Sequence, residues 1–416
     1  MRILWVKVGG LWPANSGGRL RSYHIINELS REHEVSVVTT RRADEDPAVL
    51  VKQLSRCKHV VQALYSAPKH NSPEFVTALV KSWFTPLAVD LYKNQVPEMK
   101  TSVARLLQEN DFDIIIADFL TALPNLPKQA SVPVVLFTHN VEYMIWKRLC
   151  ANETNLLKRL LLAIEWRKMK WYEASACREA DVTLTVSDTD KEQFMAMAPD
   201  SIVHATPTGV DIEYFMPASA AAGLAAEQPL ELVFSGSMDW FPNEDAMLWF
   251  TDSILPLIRR QVPEVTLTIV GRNPSQRMRE LATRAIKVTG TVDDVRPYVH
   301  RAAVYIVPLR VGGGTRIKIY EALAMGKAVV STTVGAEGLP LTHDRDILLA
   351  DTPEAFAQQV VNLIAYPATR TRLGQAGRAL VETEYSWRRV ARDFEGLCRR
   401  SRKTTPQQTL AGGNEA

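Results

Sequence analysis

The sequence predicts an α/β protein made of two doubly wound domains in tandem. Three observations carry that expectation. The chain has 416 residues, against roughly 150 for a typical domain, so it exceeds what one hydrophobic core ordinarily serves. Short apolar runs of strand length alternate with helical patterns through both halves, the arrangement that produces a parallel sheet covered on both faces. Between the halves, Pro217 to Pro229 reads Pro-Ala-Ser-Ala-Ala-Ala-Gly-Leu-Ala-Ala-Glu-Gln-Pro, small residues without core periodicity and therefore a linker.

The elements follow in order. Met1 to Val8 is an apolar run that stops at Gly9-Gly10, too short and wrongly flanked for a signal peptide, and reads as the first strand. A glycine-bearing loop, Gly9 to Gly18, leads into Arg19 to Arg31, where Leu20, Tyr23, Ile26 and Leu29 recur on one helix face. Glu34 to Thr40 closes a first βαβ unit. Ile114 to Ala117, Val132 to Thr138 and Val182 to Val186 continue a first domain over 1–212. After the linker, 213–229, strands are expected at Leu230 to Ser235, Val265 to Val270, Ile286 to Thr289, Val304 to Val307 and Ala328 to Ser331, in a second domain over 230–384. Residues 399–416 are basic and then polar, without periodicity, and are expected to be disordered.

Composition excludes several classes. Apolar residues at 46% and charged residues at 23% are ordinary globular values. Lys and Arg number 49 against 46 Asp and Glu, a net charge of +3, so no global field recommends nucleic acid as partner. Cys57, Cys150, Cys177 and Cys398 form no CxxC pair, which argues against a zinc cage or disulfide framework and fits a reduced, cytoplasmic setting. No run reaches the about 20 apolar residues of a membrane span. The near-neutral total hides two basic stretches, Trp146 to Tyr172 and Arg388 to Lys403, each with seven bases against two acids. In the first, Leu157, Leu160, Leu161 and Ile164 add an apolar face. A long helix there could pack on the N-terminal sheet or lie on an anionic membrane.

The densest chemistry is in Val307 to Ser331, which runs strand, triple-glycine loop, helix, strand. Gly312, Gly313 and Gly314 let backbone approach a ligand closely, and Thr315 can cap the helix that follows. Arg316 and Lys318 add a forked and a point charge suited to a diphosphate. Glu321, further along that helix, can accept hydrogen bonds from a diol. Gly17 and Gly18 open another helix, but a G-x-G-x-x-G spacing is missing, which weakens a dehydrogenase reading. Asp111-Phe-Asp113 and Asp188-Thr-Asp190 carry a bare Asp-x-Asp pattern, better explained as the approach to a buried strand and a helix start.

The segment Pro308-Leu-Arg-Val-Gly-Gly-Gly-Thr-Arg-Ile-Lys318 resembles the donor loop of GT-B glycosyltransferases of family 4, in a subgroup of the form P-L-R-x-G-G-G-T-R-x-K. Matching pieces stand in order along nearly the whole chain: Asn15-Ser-Gly-Gly18, Thr138-His-Asn140, Pro207-Thr-Gly-Val-Asp211, Ser235-Gly-Ser-Met-Asp-Trp-Phe-Pro-Asn243, Val270-Gly271 and Thr289-Gly-Thr-Val-Asp-Asp294. The resemblance implies two Rossmann-like domains facing a central cleft, with the helix at 385–398 completing the first. It implies transfer of a sugar from a nucleotide-diphosphate sugar to a glycan or lipid-linked acceptor, with retention of configuration and no metal or other cofactor. His139, Arg316 and Lys318 would act in catalysis. Gly312 to Thr315, Glu321, Gly236 and Gly271 would bind the donor, with Gly17, Gly18 and Asn140 on the acceptor or phosphate side. One departure stands out: relatives with a Glu-x7-Glu pair carry a carboxylate where this chain has Gly313. That loss is the feature favouring an alternative, a nucleotide-sugar-binding partner subunit with weak turnover.

Overall fold

A computed structural model describes residues 1–14, 16–68, 72–217, 227–311 and 316–404. Contacts divide the chain into two units, Met1–Pro207 with Val390–Ala416, and Thr208–Arg389. The division falls before Thr208, so Thr208 to Ile212, expected in the first domain, belong to the second unit. Gly209 explains the assignment: a Cβ there would lie 2.5 Å from the Trp387 ring, and the Val210 amide donates to the Tyr385 carbonyl.

The first unit holds β1 (Arg2–Lys7), β2 (Glu34–Arg41), β3 (His59–Leu64), β4 (Ile114–Asp118), β5 (Val134–Phe137), β6 (Val182–Thr185) and β7 (Val203–Ala205). They form one parallel sheet in the order β3-β2-β1-β4-β5-β6-β7. Its helices are α1 (Gly17–Leu29), α2 (Pro47–Gln53), α3 (Pro73–Trp83), α4 (Val89–Lys93), α5 (Pro97–Glu109), α6 (Glu142–Asn152), α7 (Leu156–Glu179) and α8 (Asp188–Met197). Every residue of β4 is buried, as a strand covered on both faces requires.

The second unit holds β8 (Gln228–Ser235), β9 (Thr266–Val270), β10 (Ile286–Val288), β11 (Ala302–Val307), β12 (Ala328–Ser331) and β13 (Leu348–Leu349). Their order is β10-β9-β8-β11-β12-β13, again all parallel. The helices are α9 (Phe241–Trp249), α10 (Leu255–Gln261), α11 (Gln276–Glu280), α12 (Arg296–Arg301), α13 (Ile317–Ala324), α14 (Pro353–Ala365) and α15 (Pro367–Glu384). The last helix, α16 (Trp387–Thr404), starts in the second unit and groups with the first from Val390 on. Phe394 stacks on Trp5 with ring centroids 5.7 Å apart and meets Phe137 edge-on at 5.1 Å, which seats that helix in the first core.

The structure corrects three further expectations. Residues 399–404 are helical, because α16 continues through an Arg399 to Glu395 ion pair one turn back; residues 405–416 lie outside the described residues. The basic stretch 146–172 is two helices, α6 and α7: the Asn155 side chain accepts from the Lys158 amide as N-cap of the second, and Glu153 accepts from the Asn155 amide. Strand β8 starts at Gln228, inside the expected linker, while 218–226 lie outside the described residues.

In both sheets the chain reverses its direction of winding once, between β1 and β4 and between β8 and β11. In open parallel sheets, ligands bind outside the carboxyl ends of the strands at such points.

Candidate active site

In the second unit, Ser235 ends β8 and the next residue, Gly236, turns against the end of β9. The Gly236 amide donates to the Val270 carbonyl at 2.9 Å, and a Cβ on Gly271 would lie 1.7 Å from the Gly236 carbonyl oxygen. Only glycine allows that backbone approach. A Cβ on Gly236 would in turn lie 2.7 Å from both Lys318 Nζ and Asn243 Nδ2. Lys318 Nζ donates to Asn243 Oδ1 at 2.9 Å and sits 4.2 Å above the Phe234 ring. Asn243 also donates to the Ser237 carbonyl at 2.8 Å, so one amide holds the β8 loop and aims the ammonium.

Gly236, Asn243 and Lys318 line a cavity of about 480 Å³ with Trp240, Arg272 and Arg316. Arg316 is 4% exposed, with its guanidinium 5.9 Å from the Trp240 ring centroid. It occupies the N-cap position of α13 and makes no side-chain cap bond; the helix begins one residue later than a Thr315 cap would require, because Arg316 itself has non-helical dihedrals. Gly312, Gly313, Gly314 and Thr315 lie outside the described residues. A larger cavity, about 750 Å³, is bordered by α9 and α11 and holds none of the expected site residues.

Burial shapes the charges here. It pushes the Lys318 ammonium down to about 7, with nearby Glu321 opposing and Arg316 adding to the fall. It pushes the Glu321 carboxyl up to about 7, with Lys318 opposing. A lysine poised between its two states gains its charge fully when an anion arrives beside it.

In the first unit, His139 lies two residues past β5, is 4% exposed, and stacks on Phe119 with ring centroids 4.0 Å apart. Phe119 follows β4 with φ of +70°, a left-handed backbone uncommon for a bulky residue. That backbone carries its ring to Gly18, where a Cβ would meet Phe119 Cζ at 2.6 Å. Gly18 and His139 are thus brought together, while Gly17, in the first turn of α1, has open space around its Cα. Arg19 turns away and donates to the Gly9 carbonyl at 2.7 Å. Asn140 is exposed and hydrogen bonds Glu142 rather than His139. The turn is anchored by Glu173 of α7, whose two carboxylate oxygens accept from the amides of Glu142 and Tyr143 at 2.9 and 3.1 Å. Asp188 and Asp190 open α8 behind the N-cap Ser187.

Residues that reasoning from sequence passed over are Lys7, Asp118, Phe119, Arg21 and Glu173. For the first two a signal existed, a charged residue closing each of two apolar runs, Ile3 to Val6 and Ile114 to Ala117.

Two family models match this chain. Residues 16–214 match Glycosyltransferase Family 4, and residues 229–366 match Glycosyl transferases group 1. The chain belongs to the GT-B glycosyltransferases. The fold is that of sucrose-phosphate synthase from Thermosynechococcus elongatus, which superposes with a TM-score of 0.69 at 17% identity, covering 97% of this chain and 100% of that one. An Anabaena protein solved with UDP and glucose gives a TM-score of 0.63 at 13% identity, covering 96% and 99%. Among curated sequences, an uncharacterised protein in the cps region of Klebsiella pneumoniae is 21% identical over 374 residues, 87% of this chain and 90% of that one. Phosphatidyl-myo-inositol mannosyltransferase of Mycobacterium tuberculosis is 29% identical over 220 residues, 50% of this chain; the match spans about half of that relative, 56%.

Proposed function

We propose that this glycosyltransferase moves a sugar from a nucleotide-diphosphate sugar to a glycan or lipid-linked acceptor, with retention of configuration, in polysaccharide, lipopolysaccharide or glycolipid synthesis. The observation that carries this reading is the cavity where Lys318, held by Asn243, and buried Arg316 converge beside the Gly236 turn. Negative charge grows on the leaving diphosphate as the glycosidic bond breaks, and two fixed cations there stabilise the transition state more than the ground state. Their charge takes the place a metal ion holds in other transferases, so the reading needs no metal. Glu321 is assigned to accept from a donor hydroxyl, and His139 to the sugar-transfer step. The names of relatives support the substrate classes: a solved neighbour holds UDP and glucose, and a curated relative is a phosphatidyl-myo-inositol mannosyltransferase.

A thermal-shift panel of nucleoside diphosphates and their sugars tests the donor. One nucleotide-sugar should raise the melting temperature selectively, since ligand at about 100 times its Kd stabilises by about 2.7 kcal/mol. Hydrolysis of that donor separates a transferase from a weakly active binding subunit, and an absence of any response across the panel would remove the reading.

The acceptor side adds a second partner. No described helix is long and apolar enough to cross a membrane, yet α6 and α7 expose Leu149, Leu156, Leu157, Leu160 and Ile164, and Lys147, Arg148, Lys158 and Arg159 stand exposed among them. Lys168 ties α7 to the end of α3 through the Ser82 carbonyl at 2.7 Å, next to Phe84, which is 87% exposed. We assign this face to peripheral contact with an anionic membrane, from the cytoplasmic side. The protein should float with vesicles containing anionic lipid and stay in the soluble fraction with neutral ones. Equal soluble recovery in both would overturn the assignment.

A further inference from the structure

Lys7 and Asp118 end β1 and β4, are register partners on adjacent strands, and are 3% and 0% exposed in their side chains. They stand at the winding reversal of the first sheet. Burying an ion pair seldom stabilises a fold more than apolar residues of the same size, so stability alone does not account for it. Asp118 does more than pair with a lysine. Its Oδ1 accepts from Lys7 Nζ at 3.0 Å and from His139 Nε2 at 2.8 Å, and its Oδ2 from Trp5 Nε1 at 2.8 Å. The other ring nitrogen of His139, Nδ1, lies 3.4 Å from Arg21 Nη1 on α1.

Proton positions follow from donor and acceptor capacity. Burial pushes the Asp118 carboxyl up, but Lys7, His139 and Ser22 together outweigh it and hold the group well below the usual carboxylate range. An ionised carboxylate only accepts, so the proton of a neutral imidazole sits on Nε2; a guanidinium only donates, so the Nδ1 lone pair faces Arg21.

We propose that Lys7 and Asp118 are positioning residues of the transfer site: Asp118 fixes the His139 proton on Nε2, Lys7 offsets the Asp118 charge beside the ring, and Nδ1 thereby becomes an acceptor that orients Arg21 beside Gly18. This rests on the reading of His139 as a residue of the sugar-transfer site. The charged groups facing the ring are Lys7 from β1, Asp118 from β4 and Arg21 from α1, with Asp190 of α8 acting on Arg21. Burial pushes the imidazole down to about 4 against the pull of Asp118, and the Lys7 and Arg21 cations, which a second ring proton would have to sit beside, add to the fall. Without Lys7, the uncompensated Asp118 charge draws a proton onto the ring.

The test is long-range proton–nitrogen NMR of the full chain with labelled histidine, the His139 signal being assigned by its loss in His139→Gln. In the wild type the ring should carry its proton on Nε2 and show no titration above about pH 5.5. Lys7→Met should raise its titration by about one pH unit or more, with an acid limb of kcat/KM appearing at the same pH. Lys7→Gln, which keeps a donor for Asp118 without the charge, gives the same comparison where Lys7→Met folds poorly. A merely structural role for Lys7 would lower the melting temperature and leave the His139 titration where it was, and that result, or a wild-type ring protonated on Nδ1, would overturn the proposal. The NMR signal does not depend on turnover, so failure of the transferase reading would show separately, as the absence of any donor turned over.

Discussion

Lys318→Ala is expected to reduce turnover by about 100-fold or more, on the scale of roughly 3 kcal/mol for one preorganised electrostatic donor at a developing charge. The ammonium has few ways to be replaced. It is aimed by Asn243 at 2.9 Å, backed by the Phe234 ring, and packed so closely to the Gly236 turn that no Cβ fits there. Arg316→Ala should cost a similar factor, since a guanidinium 4% exposed has been desolvated in advance of the ligand. The loss should appear in kcat at saturating donor, using the nucleotide-sugar selected by thermal shift. A pH dependence comes with it. Lys318 titrates near 7 through burial, so it is charged below that pH and neutral above. In the wild type kcat/KM for donor should therefore fall as pH rises through about 7, and Lys318→Ala should lack that limb. Near-wild-type turnover in both variants would count against the diphosphate assignment.

Gly271→Ala is the second large effect, and it acts on the scaffold. The new Cβ would stand 1.7 Å from the Gly236 carbonyl oxygen and 2.8 Å from its carbon. Both are backbone atoms of a turn already tied to Val270 by a 2.9 Å hydrogen bond, so no rotamer change relieves the overlap. Overpacking of this kind costs about 1–3 kcal/mol or more, and a fall of about 5–10 °C in melting temperature is expected for the second unit. Gly17→Ala is the matched control. Nothing lies within 4 Å of its Cβ position, and alanine suits a helix better than glycine, so calorimetry should find its melting temperature unchanged or slightly raised. A Gly271→Ala protein that melts with the wild type would show that the two turns separate freely.

The buried strands were legible because apolar runs such as Ile114 to Ala117 and Val304 to Val307 carry their own signal. The edge strands β3, β7 and β13 were not: His59–Leu64 has a mixed pattern, and Val203–Ala205 and Leu348–Leu349 are too short to stand out. On the donor side, Gly236, Gly271, Arg316 and Lys318 were readable as loop glycines and helix-start cations. Their convergence was not, because the stretch Gly236 to Asn243, Gly271 and the start of α13 are three separated segments of the chain. The break at Glu153 to Asn155 was missed because apolar and basic residues continue through it, and only the Asn155 cap marks the boundary. Asn140, expected on the acceptor or phosphate side, pairs with Glu142 at the start of α6, which Glu173 anchors from a distant helix.

Local patterning by itself determined the two α/β units and the cationic helix start, since strand and helix periodicities and a glycine loop are properties of neighbours in the chain. Tertiary structure alone decided what the charges do. Lys7 and His139 end up on the Asp118 carboxylate because β1, β4 and β5, distant in sequence, lie side by side in register. Burial at that point sets their protonation, and burial is a property of the folded chain.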